Sequence, residues 1–101
     1  MDEKRKTPRR RVLKEGKIIF ADGLRMLDCT IRDISKEGAK LLIASTVGIP
    51  QTFDLFEKST GLVYPATVAW RQMDSLGVKF DAAPTNVHDP ANRRYARLRF
   101  L

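Results

Sequence analysis

From Leu13 onward, apolar and polar positions alternate with a period of two, in short β-branched or aromatic runs separated by turn residues at near-regular spacing. That pattern predicts a sandwich or barrel of strands. A first strand over residues 13–21 carries Ile18 and Phe20 on one face and ends at Asp22-Gly23, a strong hairpin signal. The next, over 24–33, sets Leu27, Cys29 and Ile31 against Asp28, Thr30 and Arg32, so one face is apolar and the other polar. A third carries Ala39, Leu41 and Ile43 inward, and a fourth, near 51–56, carries Phe53 and Leu55. The fifth is the longest, with Leu62, Tyr64, Ala66, Val68 and Trp70 on one face and Pro65 on the other. Because proline cannot donate to a ladder, Pro65 implies a sheet edge or a bulge. A turn at Met73-Asp74-Ser75 leads to a sixth strand that offers Leu76, Val78 and Phe80 to the core.

Beyond Asp81 the alternation stops. Asp89-Pro90 reads as a helix N-cap followed by proline in the first helical position. Ala91, Tyr95, Leu98 and Leu101 then recur at helical spacing, with Arg93, Arg94 and Arg97 on the opposite side. The expected fold is therefore all-β: a six-stranded antiparallel barrel with a flexible basic N-terminal arm and a short C-terminal α-helix. The arm covers residues 1–12, the barrel 13–81, and the linker with its helix 82–101. Closure into a barrel leaves no exposed strand edge.

Length and composition add limits. At 101 residues, 43% of them hydrophobic, the chain supports one modest core and no second domain. A single cysteine, Cys29, forms no internal bridge, and one His with one Cys falls short of a zinc cluster, so neither disulfide nor metal is expected. Cys29 reads as a small apolar side chain in a reducing compartment. No apolar run reaches the length of a membrane span or the core of a signal peptide, which points to a cytoplasmic protein without membrane insertion. The net charge of +7 predicts an anionic partner, and the excess is concentrated at the two ends of the chain: Lys4 to Lys14 holds seven cations and Arg93 to Arg99 four.

Enzymatic chemistry has little to stand on. There is no Gly-rich phosphate loop, and the lone histidine, His88, falls in the linker away from any plausible nucleophile. Two clusters stand out instead. In Arg5-Lys6-Thr7-Pro8-Arg9, two arginines flank a stiff proline. A guanidinium fork grips a phosphate, pairs with the O6 and N7 edge of guanine, or stacks on a purine; the same stretch also reads as a solvated basic tail. The second cluster is the loop Asp33-Ile34-Ser35-Lys36-Glu37-Gly38. Asp and Ser stabilise turns through their own backbone, so an ordinary turn explains it; alternatively Asp33 and Ser35 accept the donors of a purine while Gly38 allows close approach.

Taken together, Arg-x-x-x-Arg near the start and Asp-x-Ser-x-x-Gly some two dozen residues later resemble the signature of the PilZ domain family. Ala66-Thr67-Val68-Ala69-Trp70-Arg71 and Leu76-Gly77-Val78-Lys79-Phe80 resemble its last two barrel strands in residue type and spacing. The similarity covers roughly residues 4–81. It implies a receptor for cyclic di-GMP with no catalytic activity and no cofactor. The signature arginines are matched by Arg5 and Arg9, which hold phosphates and guanine edges, and the loop that meets a guanine by Asp33, Ser35 and Gly38. Arg10 continues the basic run. Lys4 stands where many members carry another arginine, which leaves open whether one nucleotide or a stacked pair is held. Trp70 matches a tryptophan that lies near the base in some members, though its place in an apolar row fits core packing equally.

The expected behaviour is that the arm changes conformation on binding and signals to a downstream protein partner of unknown identity. Two other readings compete: a PilZ-like interaction module that binds no ligand, and a small basic barrel that binds nucleic acid through its arginine-rich flanks.

Overall fold

Residues 20–25 show how the chain reverses. Ala21, Asp22 and Gly23 all take positive φ, at 55°, 54° and 86°. The N–H of Gly23 donates to Phe20 O at 3.2 Å and that of Leu24 to Ala21 O at 3.0 Å, after which Phe20 and Arg25 pair across the hairpin. The computed structural model describes residues 10–100, with side chains from Leu13 onward. It contains β1 (Arg10–Phe20), β2 (Arg25–Ile34), β3 (Gly38–Leu42), β4 (Thr52–Glu57), β5 (Leu62–Arg71) and β6 (Ser75–Phe80), all paired antiparallel. β1 lies between β2 and β4, β3 joins β2 to β6, and β5 joins β6 back to β4, so the ring closes as a six-stranded barrel. β1 starts at Arg10, three residues before the alternation makes it legible.

A two-residue strand, β7 (Thr85–Asn86), adds to the start of β5 at Leu62 and Val63. β6 pairs with β5 only from Ala66 onward. Pro65 therefore lies in the gap between the two partners, at the edge position its missing N–H requires, while its carbonyl accepts from the Asp81 N–H at 2.8 Å.

The alternating apolar residues meet inside the barrel. Ile18, Ile31, Leu41, Leu55 and Leu76 are fully enclosed, with Phe20, Leu27, Ile43, Tyr64 and Phe80 packed at the margins. Cys29 belongs to this core; desolvation, helped by the nearby Asp28 charge, pushes its thiol up to about 12. A second apolar layer lies on the outer wall, where Ile19, Phe56 and Val63 from β1, β4 and β5 are covered by Val87, Tyr95 and Leu98.

The C-terminal element that supplies this cover is a 3-10 turn, Ala96–Phe100, and not the expected α-helix. Asp89 caps an isolated turn through its carboxylate to the Ala91 N–H at 3.0 Å, but the chain does not continue as a helix. The residues that bury here, Tyr95 and Leu98, are three apart and bonded i to i+3 at 2.9 Å, which suits the tighter helix, while Ala91 stays exposed. So short a segment is held by its contacts and not by helix propensity: the Tyr95 hydroxyl donates to Asp54, and Arg99 donates to the carbonyls of Val87, Asp89 and Asn92. Leu101 lies outside the described residues.

At the opposite end from the β1–β2 hairpin, an ion pair plugs the barrel. Glu57, 2% exposed, accepts from Lys14 Nζ at 2.7 Å, Thr60 Oγ1 at 2.8 Å and Tyr64 OH at 2.9 Å. Burial works to raise the Glu57 pKa, but the three donated hydrogen bonds outweigh it and hold the carboxyl below its ordinary value. Tyr64, desolvated and bonded to that carboxylate, is pushed up.

Two outcomes are expected. Stability contributed by Glu57 is complete above the ordinary glutamate pKa of about 4.3 and disappears as pH falls through the lower folded value. Glu57→Gln should cost about 1–2 kcal/mol at neutral pH and flatten the acid limb of a stability-versus-pH curve measured by urea unfolding; an unchanged acid limb would remove this role. For Gly38, an added Cβ would stand 2.1 Å from the carbonyl oxygen of Val78. Gly38→Ala should therefore lower stability by about 1–3 kcal/mol in the same assay.

Candidate functional site

Two β-bulges decide what the outer wall presents. In β2 the inward positions are Leu27, Cys29 and Ile31, so strict alternation would send residue 33 inside as well. The register with β3 shifts between Ile31 and Asp33, and the register with β1 shifts at the same level, between Arg11 and Lys14. The extra residue, Arg32, flips the phase: Ile34 packs against the core and Asp33 goes outside. The same happens in β5. Ala66 and Val68 are interior, the register with β6 shifts between Val68 and Trp70, and Ala69 is the extra residue. Trp70 is thereby turned outward and is 41% exposed, which removes it from the core row that its spacing suggested.

Both bulges deliver to the same level of the barrel. Read across the strands, the Cα partners are Arg11, Asp33, Lys40, Gly77 and Trp70, one from each of β1, β2, β3, β6 and β5. The indole lies against Gly77: a Cβ at that position would sit 1.9 Å from its Nε1, so only glycine leaves room for the ring. Beyond Gly77 the Lys40 Nζ stands over the ring, 6.0 Å from its centroid. Lys40 was missed in the sequence; its outward phase two residues after Gly38 was the available signal.

The β2–β3 loop lies just beyond Asp33 and Lys40, in the middle of this row. The Ser35 N–H donates to Gly38 O at 2.9 Å, the Glu37 N–H donates to Ser35 Oγ at 3.1 Å, and the Phe80 N–H donates to Glu37 O at 2.8 Å. The serine side chain is thus a turn-former, its hydroxyl oxygen accepting within the loop, and Gly38 is required by the close approach of β6. Asp33, Ser35 and Gly38 are all partly exposed. Ser35 and Lys36 also rim an open pocket of about 780 Å³ at the mouth plugged by Glu57, whose walls include Ile34, Tyr64, Phe80 and Pro84. The stacked rings of Tyr64 and Phe80, 4.4 Å apart, line that pocket.

The structure therefore brings Asp33 and Trp70 to one level of the outer wall, with Ser35 and Gly38 in the loop that follows Asp33. Lys4, Arg5 and Arg9 lie outside the described residues, and of Arg10 only the backbone is described, paired with Ile34. Among the described residues no group of His, Cys, Asp or Glu has the arrangement of a metal site. His88, exposed in the segment after β7, touches none of these groups through a hydrogen bond of its side chain.

Comparison with curated proteins yields no significant match. The family model for the PilZ domain, by contrast, matches residues 3–99, spanning the arginine-rich start, the barrel with both bulges and the C-terminal turn. By that match over nearly its whole length, the chain belongs to the PilZ domain family.

Proposed function

We propose that this PilZ domain is a receptor for cyclic di-GMP, which it binds on the outer wall at the row that ends in Trp70. The observation that carries the reading is the pair of bulges: each reverses the phase of its strand, and together they put a carboxylate and an indole at one level of the barrel, either side of a lysine and a glycine. A guanine base needs an acceptor for its N1–H and N2–H₂ donors and a flat apolar face to stack on. Asp33 and Trp70 supply the two, Ser35 adds a hydroxyl, and Gly38, by letting β6 close against the loop, holds that loop in the shape that presents them.

The phosphates fall to the basic N-terminal stretch. Arg5 and Arg9 grip them with their planar forks, with Lys4 and Arg10 adding charge. Binding draws that stretch onto the barrel and alters the surface shown to a downstream partner, so the domain acts by binding and not by catalysis. A cytoplasmic location fits this role, and no described helix is long and apolar enough to cross a membrane.

Calorimetric titration with cyclic di-GMP is the direct test. Arg9→Ala should weaken binding by about 1.5–3 kcal/mol, the worth of a charge-assisted contact. Trp70→Ala should cost about 1–3 kcal/mol of affinity, as expected for a lost stack, with little change in melting temperature because the ring is half-exposed. Arg97→Ala is the control: this side chain holds the Gly23 carbonyl on the far hairpin and should leave affinity intact. Equal losses in all three variants, with steep salt dependence and tolerance of other polyanions, would favour nucleic-acid binding by the basic flanks over a discrete site.

A further inference from the structure

We infer that Lys40 sets the base preference of this site, an inference that rests on the reading just given. Two positions in the row lie between the carboxylate and the indole, Lys40 and Gly77, and only the lysine carries a side chain: its Cα partners are Asp33 on one side of β3 and Gly77 on the other. Strands in a sheet lie about 4.8 Å apart. Because the indole leans across Gly77 toward Lys40, the strand that carries the lysine is all that separates the ring from Asp33. A purine stacked on the exposed face of the indole can turn its edge toward Lys40, with Asp33 on the next strand beyond.

The two groups ask for opposite chemistry on neighbouring atoms. An ionised aspartate only accepts hydrogen bonds, and an ammonium only donates them. Guanine answers both, with donors at N1 and N2 next to acceptors at O6 and N7. Adenine answers the pair less well: its N7 still accepts from the ammonium, but N6 carries donor protons where guanine has O6, and N1 offers the carboxylate a lone pair where guanine has a donor. The Lys40 Nζ stands over the indole, 6.0 Å from the centroid, and its unbranched stem gives it reach to the O6 and N7 atoms of a base stacked there. Bulge, glycine and lysine then act as one device: the bulge at Ala69 turns the ring outward, Gly77 lets it lie down, and Lys40 reads the edge of what stacks on it.

The experiment compares cyclic di-GMP with cyclic di-AMP on the wild-type chain, Lys40→Met, Lys40→Arg and Lys58→Met, by calorimetry and by the emission of Trp70, the only tryptophan. Lys58, exposed in the β4–β5 turn, removes the same charge away from the row. The expected result is that Lys40→Met narrows the preference for the guanine ligand by about fivefold or more, while Lys40→Arg and Lys58→Met retain it. If the wild type binds cyclic di-GMP and Lys40→Met keeps the full preference, or loses affinity for both ligands only as much as Lys58→Met does, the inference is overturned and the receptor reading stands. If the wild type gives neither heat nor a change in emission with cyclic di-GMP, the receptor reading itself fails and takes this inference with it.

Discussion

A closed antiparallel barrel has only two sides, and alternation assigns every second residue to the inside. In this chain the constraint is nearly saturated: Ile18, Ile31, Leu41, Leu55 and Leu76 fill the interior without exposure. Trp70 stands outside this set, 41% exposed. The sequence of β5 nonetheless puts Trp70 in phase with Ala66 and Val68, and the conflict is resolved by inserting one residue, Ala69, into the ladder. The bulge at Arg32 does the same for Asp33, whose charge would otherwise be driven into the apolar core at heavy cost. What the wall displays at this level thus follows from what the interior refuses.

Around that barrel, two polar fastenings hold the parts that alternation does not. Glu57 and Lys14 close one mouth by pairing β4 with β1, with Thr60 and Tyr64 satisfying the remaining carboxylate oxygen. On the outer wall, the Tyr95 hydroxyl on Asp54 and the Arg99 guanidinium on three carbonyls tie down a segment too short to be a stable helix. The apolar layer beneath it, from Ile19 to Leu98, lets β1, β4 and β5 bury residues on both faces, with Met26 of β2 packed against its margin.

Much of this was legible beforehand. Turn chemistry at Asp22-Gly23 and period-two runs located all six barrel strands and most of the interior, down to Cys29 and the marginal Phe20 and Phe80. The edge role of Pro65 followed from its missing donor. The bulges were not legible, because one unpaired residue leaves no mark in a single strand; it exists only relative to a neighbour's register. That is why Trp70 fitted a core row and a ligand site equally well, and why Lys40 went unnoticed. The outer apolar layer escaped for a related reason: Ile19, Phe56 and Val63 stand at positions that alternation reads as solvent-facing, and only the returning C-terminal segment gives them a partner. That segment's 3-10 geometry was hidden by Ala91, which extends the apparent helical spacing without being buried.

Cys29 carries a consequence of a practical kind. Its sulfur is enclosed between β1 and β2, close against Gly16, and its thiol stays protonated far above physiological pH. Alkylating reagents attack the thiolate and require access, so an intact barrel hides its own cysteine from them. A cysteine placed on the exposed surface can then carry a spin label or fluorophore with little competition from position 29.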